Sequence, residues 1–263
     1  MTGTGSDPDR GRRSVSGRVV VVTGSGRGLG RDYARLLAGE GAAVAVADID
    51  GAAAEKTAAA IASDISGSTV LPLVVDVTDP ASTGAMARSV ASELGDTEIL
   101  INNAGVWGDL EPTPLTETSP DYWDLVMGVN LKGALLCSQA VVGPMRAAGW
   151  GRIINISSIG AYMPSGVYGV SKLALNQLTY ALATELGPDG ITVNAVAPGP
   201  IDNEATRNQL PESAIEKMVN GTAVKRMGDA EDLFGMIRYL ATDEAQWVTG
   251  QTILVNGGFN ARL

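Results

Sequence analysis

The sequence predicts an α/β protein: a doubly wound parallel sheet with helices on both faces, in a single domain. Three observations carry that reading. Short β-branched runs alternate with longer helical patterns along the whole chain. The runs are largely apolar, as in strands covered on both faces. A glycine-rich turn joins the first run to the first helical pattern. The 263 residues, 45% of them hydrophobic, suit one such domain with a large core.

The elements follow in order. The valine-rich run 18–23 reads as a strand and 28–39 as the helix opened by the glycine turn. Residues 43–48 are the next strand, followed by an alanine-rich helix over 52–66. A third strand covers 69–76 and a helix 80–94. Residues 98–102 form the fourth strand. A Pro/Thr-rich loop over 111–120 leads to a long helical region, 121–148. The strand 152–157, the helix 167–186 and the strand 191–197 follow. Helical patterns over 204–220 and 230–241 precede a last strand at 252–255. The first sixteen residues are rich in Gly, Ser, Asp and Arg and read as a disordered tail, so the domain is expected to span 17–263. No apolar run reaches about 18 residues, so no membrane-spanning helix is expected.

Bulk composition excludes several function classes. The net charge of −10 argues against nucleic acid and anionic membrane surfaces as partners. The chain has no histidine, which rules out a histidine base, a histidine triad and histidine-ligated zinc; no metal site is expected. Cys137 is the single cysteine, which fits a reducing, cytoplasmic setting. Proton chemistry is left to Tyr, Lys, Asp, Glu or water.

Tyr168 and Lys172 stand one helical turn apart in Tyr-Gly-Val-Ser-Lys, on one face. A cation near a phenol favours the phenolate and lowers its pKa, so the pair can exchange protons near neutral pH. Thr23-Gly-Ser-Gly-Arg-Gly-Leu-Gly30 lies between a strand and a helix. Gly24 and Gly28 can take conformations other residues resist, and Gly30 lets the helix pack close to the sheet. The helix N-terminus then offers N–H groups to a pyrophosphate. Asp48 ends the second strand, where a carboxylate can hydrogen-bond the adenine-ribose hydroxyls of NAD and repel the 2′-phosphate of NADP. Arg27 argues the other way and keeps NADP open, with Asp48 given more weight. Asp76-Val77 ends the third strand, where an adenine would lie. Asp76 read as a helix N-cap ahead of Pro80 is the competing structural role.

With Asn102-Asn-Ala-Gly105, Asn130, Ile154-Asn-Ile-Ser-Ser158, Pro198-Gly199 and Asn256-Gly-Gly258 in this order, the chain resembles a short-chain dehydrogenase/reductase from about Gly17 to Gly258. The resemblance implies a Rossmann-like fold and an oxidoreductase acting on CH–OH donors with NAD or NADP. It implies that Tyr168 passes a proton to or from the substrate oxygen, Ser158 orients that oxygen, Lys172 lowers the Tyr168 pKa and grips the nicotinamide ribose, and Asn130 holds a water. The implied cofactor residues are Gly24, Ser25, Arg27, Gly28, Leu29, Gly30, Asp48, Ile49, Asp76, Val77, Asn103, Ala104, Gly105, Tyr168, Lys172, Pro198, Gly199, Ile201 and Asn203. Trp107, Tyr162, Met163 and the segment 201–224 are candidate substrate walls for an apolar alcohol or ketone. The family is usually tetrameric, with the helices 121–148 and 167–186 at the interface.

Ser158 precedes Tyr168 by ten residues, a shorter spacing than the family's usual one, and leaves Ser157 or Ser158 as the active hydroxyl, with the motif favouring Ser158. Asn203 stands where a threonine is frequent, and Asn256 where an aspartate is. Two rival readings are an NADPH-dependent 3-oxoacyl carrier-protein reductase, supported by Arg27 and opposed by Asp48, and a non-catalytic cofactor-binding protein.

Overall fold

The computed structural model describes residues 14–107, 114–203, 206–207 and 210–259. Its strands are β1 (Val19–Thr23), β2 (Ala43–Asp48), β3 (Thr69–Val74), β4 (Ile99–Asn102), β5 (Gly151–Ile156), β6 (Ile191–Pro198) and β7 (Thr252–Val255). They form one parallel sheet in the order β3-β2-β1-β4-β5-β6-β7. The helices are α1 (Gly28–Gly39), α2 (Gly51–Asp64), α3 (Pro80–Glu93), α4 (Pro120–Met127), α5 (Gly133–Ala148), α6 (Gly166–Leu186), α7 (Glu212–Gly221) and α8 (Ala230–Leu240).

Strand β1 shows how the sequence fixes the layers. Its side chains alternate between faces. Val20 and Val22 join Leu37, Leu233 and Ile237 in one core. Val19 and Val21 join Val90, Leu100, Cys137 and Leu182 in the other. Each fully buried valine of this kind contributes about 1.5–3 kcal/mol. β1 pairs with β2 on one side and β4 on the other. The chain therefore reverses direction across the sheet beside β1, and a crevice opens at the strand ends there. At the outer edge, β3 carries Pro72, which an edge strand tolerates because one side of its ladder is unpaired.

Several boundaries differ from expectation. The packed body begins before Gly17: Val15 is completely buried in the first core. β3 stops at Val74 because Asp76 turns the chain, its carboxylate accepting from the Thr78 N–H at 2.8 Å and the Thr78 hydroxyl at 2.7 Å. The N-cap of α3 is Asp79, not Asp76. The expected helix 121–148 is divided by a π-helical turn, Gly128–Lys132. Together Pro120–Ala148 is a 29-residue run, long and apolar enough by length and composition to cross a membrane, contrary to expectation. Its α5 portion packs on α3, β4 and β5, and buries polar Ser138. Of the expected helix 204–220, α7 is present, while 204–205 and 208–209 lie outside the described residues, as do 1–13 of the expected tail and part of the loop 111–120.

Candidate active site

α6 presents Tyr168 and Lys172 one turn apart, and both are buried. At the end of β5, Ser158 caps the short 3-10 turn Ile159–Tyr162 and accepts the Gly160 N–H at 3.0 Å. A Cβ on Gly160 would lie 2.9 Å from Tyr168 Cε1 and 3.3 Å from Ser158 Oγ, so both side chains meet at this turn. Ser157 points elsewhere, donating to Asn176 Oδ1 at 2.6 Å and approaching the Lys172 carbonyl at 3.4 Å. Of the two serines, the structure therefore brings Ser158 to Tyr168.

Lys172 Nζ donates to the Ile156 carbonyl at 2.8 Å and lies 5.8 Å from the Tyr168 ring centroid. Burial pushes the Tyr168 phenol up to about 12, against the opposing pull of the Ser158 hydrogen bond. Burial also pushes Lys172 down to about 8. The expectation that the cation lowers the phenol pKa is thus overridden in the protein alone, because the same dry surroundings disfavour both charges.

The π-helical turn places Asn130 behind this pair. Its Oδ1 accepts the Val106 N–H at 2.7 Å, and its Nδ2 donates to the Val106 carbonyl at 3.3 Å and to Ser171 Oγ at 3.0 Å. Ser171 in turn donates to the Tyr168 carbonyl at 2.7 Å. Both amide hydrogens are used within the protein and the residue is 1% exposed, so its side chain braces the Val106 and Ser171 segments. Gly105 fits closely here: a Cβ would sit 3.2 Å from Asn130 Oδ1 and 3.6 Å from Lys172 Nζ.

Across the crevice, the glycine turn is built by close approach. Gly24 has φ +63°, and a Cβ on it would lie 2.7 Å from the Ala104 Cα. A Cβ on Gly30 would lie 2.2 Å from the Gly24 carbonyl oxygen. Asn103 Nδ2 donates to the Thr23 and Gly24 carbonyls, and the Asn103 and Ala104 amides both donate to Thr23 Oγ1, tying the end of β4 to the turn. Ser25 turns inward, its hydroxyl donating to the Val22 carbonyl at 2.6 Å. Gly28 and Leu29 open α1, whose N-cap Arg27 is exposed and provides no side-chain cap. First-turn amides of such a helix lack intrahelical partners and suit an anion.

Asp48 is held by two backbone donors, Gly26 N–H to Oδ2 at 2.8 Å and Asp50 N–H to Oδ1 at 3.0 Å. Thr57 on α2 donates to the Gly26 carbonyl at 2.8 Å. Ile49 beside it is 70% exposed, whereas the Val77 side chain is buried against Gly133. On the far side, Pro198 ends β6, and a Cβ on Gly199 would lie 2.6 Å from the Asn256 Cα. Ile201 is buried and bridges to Gly228. Asn203 accepts the Thr206 N–H at 2.8 Å. A cavity of about 150 Å³ is lined there by Ile201, Thr222, Val224, Arg226, Asp232 and Asn256 among others. Trp107, Tyr162 and Met163 do not line it; Trp107 and Met163 are half-buried and Tyr162 is exposed. No cluster of three metal-ligating side chains occurs among the described residues.

Thr57, Ser171 and Asn176 were not singled out from the sequence. Thr57 is a lone hydroxyl in an alanine-rich helix, and Asn176 continues the Tyr168–Lys172 row by one further turn. Those are the signals that could have found them.

The adh_short_C2 family model, described as enoyl-(acyl carrier protein) reductase, matches residues 24–260. An uncharacterized oxidoreductase of Mycobacterium tuberculosis is 42% identical over 241 residues, covering 92% of this chain and 96% of that protein. The 3-oxoacyl-[acyl-carrier-protein] reductase FabG of Pseudomonas aeruginosa is 39% identical over 249 residues, covering 93% of this chain and 98% of that protein. The crystal structure of levodione reductase superposes with a TM-score of 0.88 at 31% identity, covering 94% of this chain and 99% of that one. With one parallel seven-stranded sheet and relatives of this kind along nearly its whole length, the chain belongs to the short-chain dehydrogenase/reductase family of oxidoreductases.

Proposed function

We propose that the protein interconverts a secondary alcohol and a ketone by hydride transfer, with NAD(H) preferred, and that Tyr168 is the general acid/base. The observation that carries this reading is the packing of Ser158 Oγ and the Tyr168 ring against the same Gly160 position, beside buried Lys172. The crevice suits a dinucleotide: Gly24 and Gly30 pack the turn tightly against Ala104 and Asn103, a Cβ on Gly28 would meet nothing within 4 Å, and the first turn of α1 offers amides to phosphates. When bound, NAD supplies the hydride acceptor and NADH the donor. Gly24, Arg27, Gly28, Leu29 and Gly30 would hold the pyrophosphate side. Asp48 and Ile49 would meet the adenosine ribose, and Asp76 with the Val77 main chain would border the adenine. Asn103, Ala104, Gly105, Pro198, Gly199, Ile201 and Asn203 would flank the nicotinamide half.

In alcohol oxidation Tyr168 takes the hydroxyl proton, and in reduction it returns one to the carbonyl oxygen. The Gly160 amide occupies one lone pair of Ser158 Oγ, and the Ser158 hydrogen, which lowers the Tyr168 pKa in the protein alone, would turn to the substrate oxygen when substrate binds. Lys172, when charged, favours the Tyr168 phenolate and reaches towards the ribose side through the gap at Gly105. Ile201, Thr222 and Val224, which line the cavity beyond Pro198, would border the substrate. Exposed Trp123 and Leu125 on α4, with Val170, Leu173 and Tyr180 on α6, support a homotetramer joined through these helices. The single, buried Cys137 supports a cytoplasmic location.

A specific observation favours a second reading. Arg27 is exposed at the glycine turn, where it could meet a 2′-phosphate, and the FabG relative is named a 3-oxoacyl reductase. Titration with NADH and NADPH, followed by nicotinamide fluorescence, separates the two. Tighter NADH binding, with NAD-dependent oxidation of secondary alcohols, supports the first. Tighter NADPH binding, with reduction of 3-oxoacyl thioesters, supports the second. Binding of neither overturns both.

A further inference from the structure

We infer that Asn176 is a positioning residue that clamps the Ser158-bearing turn against Tyr168; this rests on the reading of Ser158 and Tyr168 as the reacting pair. Asn176 lies on α6 one turn beyond Lys172 and two beyond Tyr168, on the same face. Its two ends reach both ends of the turn. Oδ1 accepts the Ser157 hydroxyl at 2.6 Å, immediately before Ser158. Nδ2 donates to the Tyr162 hydroxyl at 3.2 Å, at the last residue of the turn.

The turn needs such a clamp because it touches the reacting phenol directly. A Cβ on Gly160 would lie 2.9 Å from Tyr168 Cε1 and 3.3 Å from Ser158 Oγ, so the Gly160 backbone rests against the Tyr168 ring. A Cβ on Gly169 would lie 2.7 Å from the Gly160 carbonyl oxygen, a second close contact between turn and helix. Any drift of the turn therefore moves Ser158 relative to Tyr168. The short ten-residue step from Ser158 to Tyr168 leaves little chain to absorb that drift. One amide that accepts at one end and donates at the other holds the turn in place.

The test uses the full-length protein, with Asn176→Leu removing both hydrogen bonds and Tyr162→Phe, a milder change, removing only one. Isotope-labelled tyrosine is followed by NMR, with the Tyr168 resonance assigned from Tyr168→Phe. NADH affinity, kcat, KM and the pH profile are measured beside it. The clamp is expected to shift the Tyr168 resonance in both variants. In Asn176→Leu kcat should fall roughly tenfold or more, as small misplacements of reacting groups do. The alkaline inflection should move upward as the Ser158 hydrogen bond weakens, while NADH affinity stays unchanged. An unmoved Tyr168 resonance in Asn176→Leu overturns the inference, whatever the activity. A shifted resonance in both variants, with a wild-type protein that binds NADH but turns over no alcohol or ketone, leaves the clamp standing and overturns the reaction instead.

Discussion

Tyr168 is pulled in two directions by its surroundings: burial raises its pKa to about 12, and the Ser158 hydrogen bond lowers it. Alcohol oxidation needs the phenolate and ketone reduction the phenol. Oxidation is therefore expected to rise with pH and reduction to fall, which pH–rate profiles in both directions would check. Tyr168→Phe is expected to abolish turnover while NADH binding persists; near-normal rates would overturn the proposed role. Asp48→Ala is expected to narrow the preference between NADH and NADPH, and an unchanged ratio would mean that Asp48 does not face the ribose. Because Asp48 also holds the Gly26 and Asp50 amides, the same change should loosen the turn and weaken both cofactors to some degree.

At the scale of elements, α6 and α2 each carry a buried polar group with a measurable consequence. Lys172 on α6 falls from 10.5 to about 8 on folding. Between those values the unfolded chain binds more protons than the folded one, so this group makes stability rise with pH from about 8 to 10.5. Over that window the effect is on the order of 3 kcal/mol. In Lys172→Met that component is expected to vanish, which denaturant unfolding across the window would reveal as a flatter or falling dependence. Tyr168, raised by burial, contributes in the opposite sense above pH 10. On α2, Thr57→Val leaves the Gly26 carbonyl without its hydroxyl partner. A loss of about 1–3 kcal/mol is expected in the same unfolding experiment.

For the whole molecule, Val170, Leu173 and Tyr180 form an exposed apolar row at helical spacing on α6, and α4, which packs on α6, exposes Leu125. If these faces join subunits, Leu173→Asp is expected to shift the protein to a smaller species in sedimentation velocity without altering the sheet. A wild-type monomer would remove the tetramer from the proposal.

The order of strands and helices was legible because both faces of the parallel sheet are covered, so β1 and β2 read as apolar runs without alternation. The glycine turn was legible because a Cβ would lie 2.2 Å from neighbouring backbone at Gly30 and 2.7 Å at Gly24, which leaves glycine as its own signature. Tyr168 and Lys172 were legible because helical spacing alone sets them on one face. Only the tertiary structure decided what that face does. Whether Ser157 or Ser158 meets Tyr168 depends on how β5 ends against α6. The direction of the Tyr168 and Lys172 shifts depends on burial contributed by residues far apart in the chain. The braces Asn130, Thr57 and Asn176 each join segments that the sequence separates, and no local pattern encodes a partner that arrives through folding.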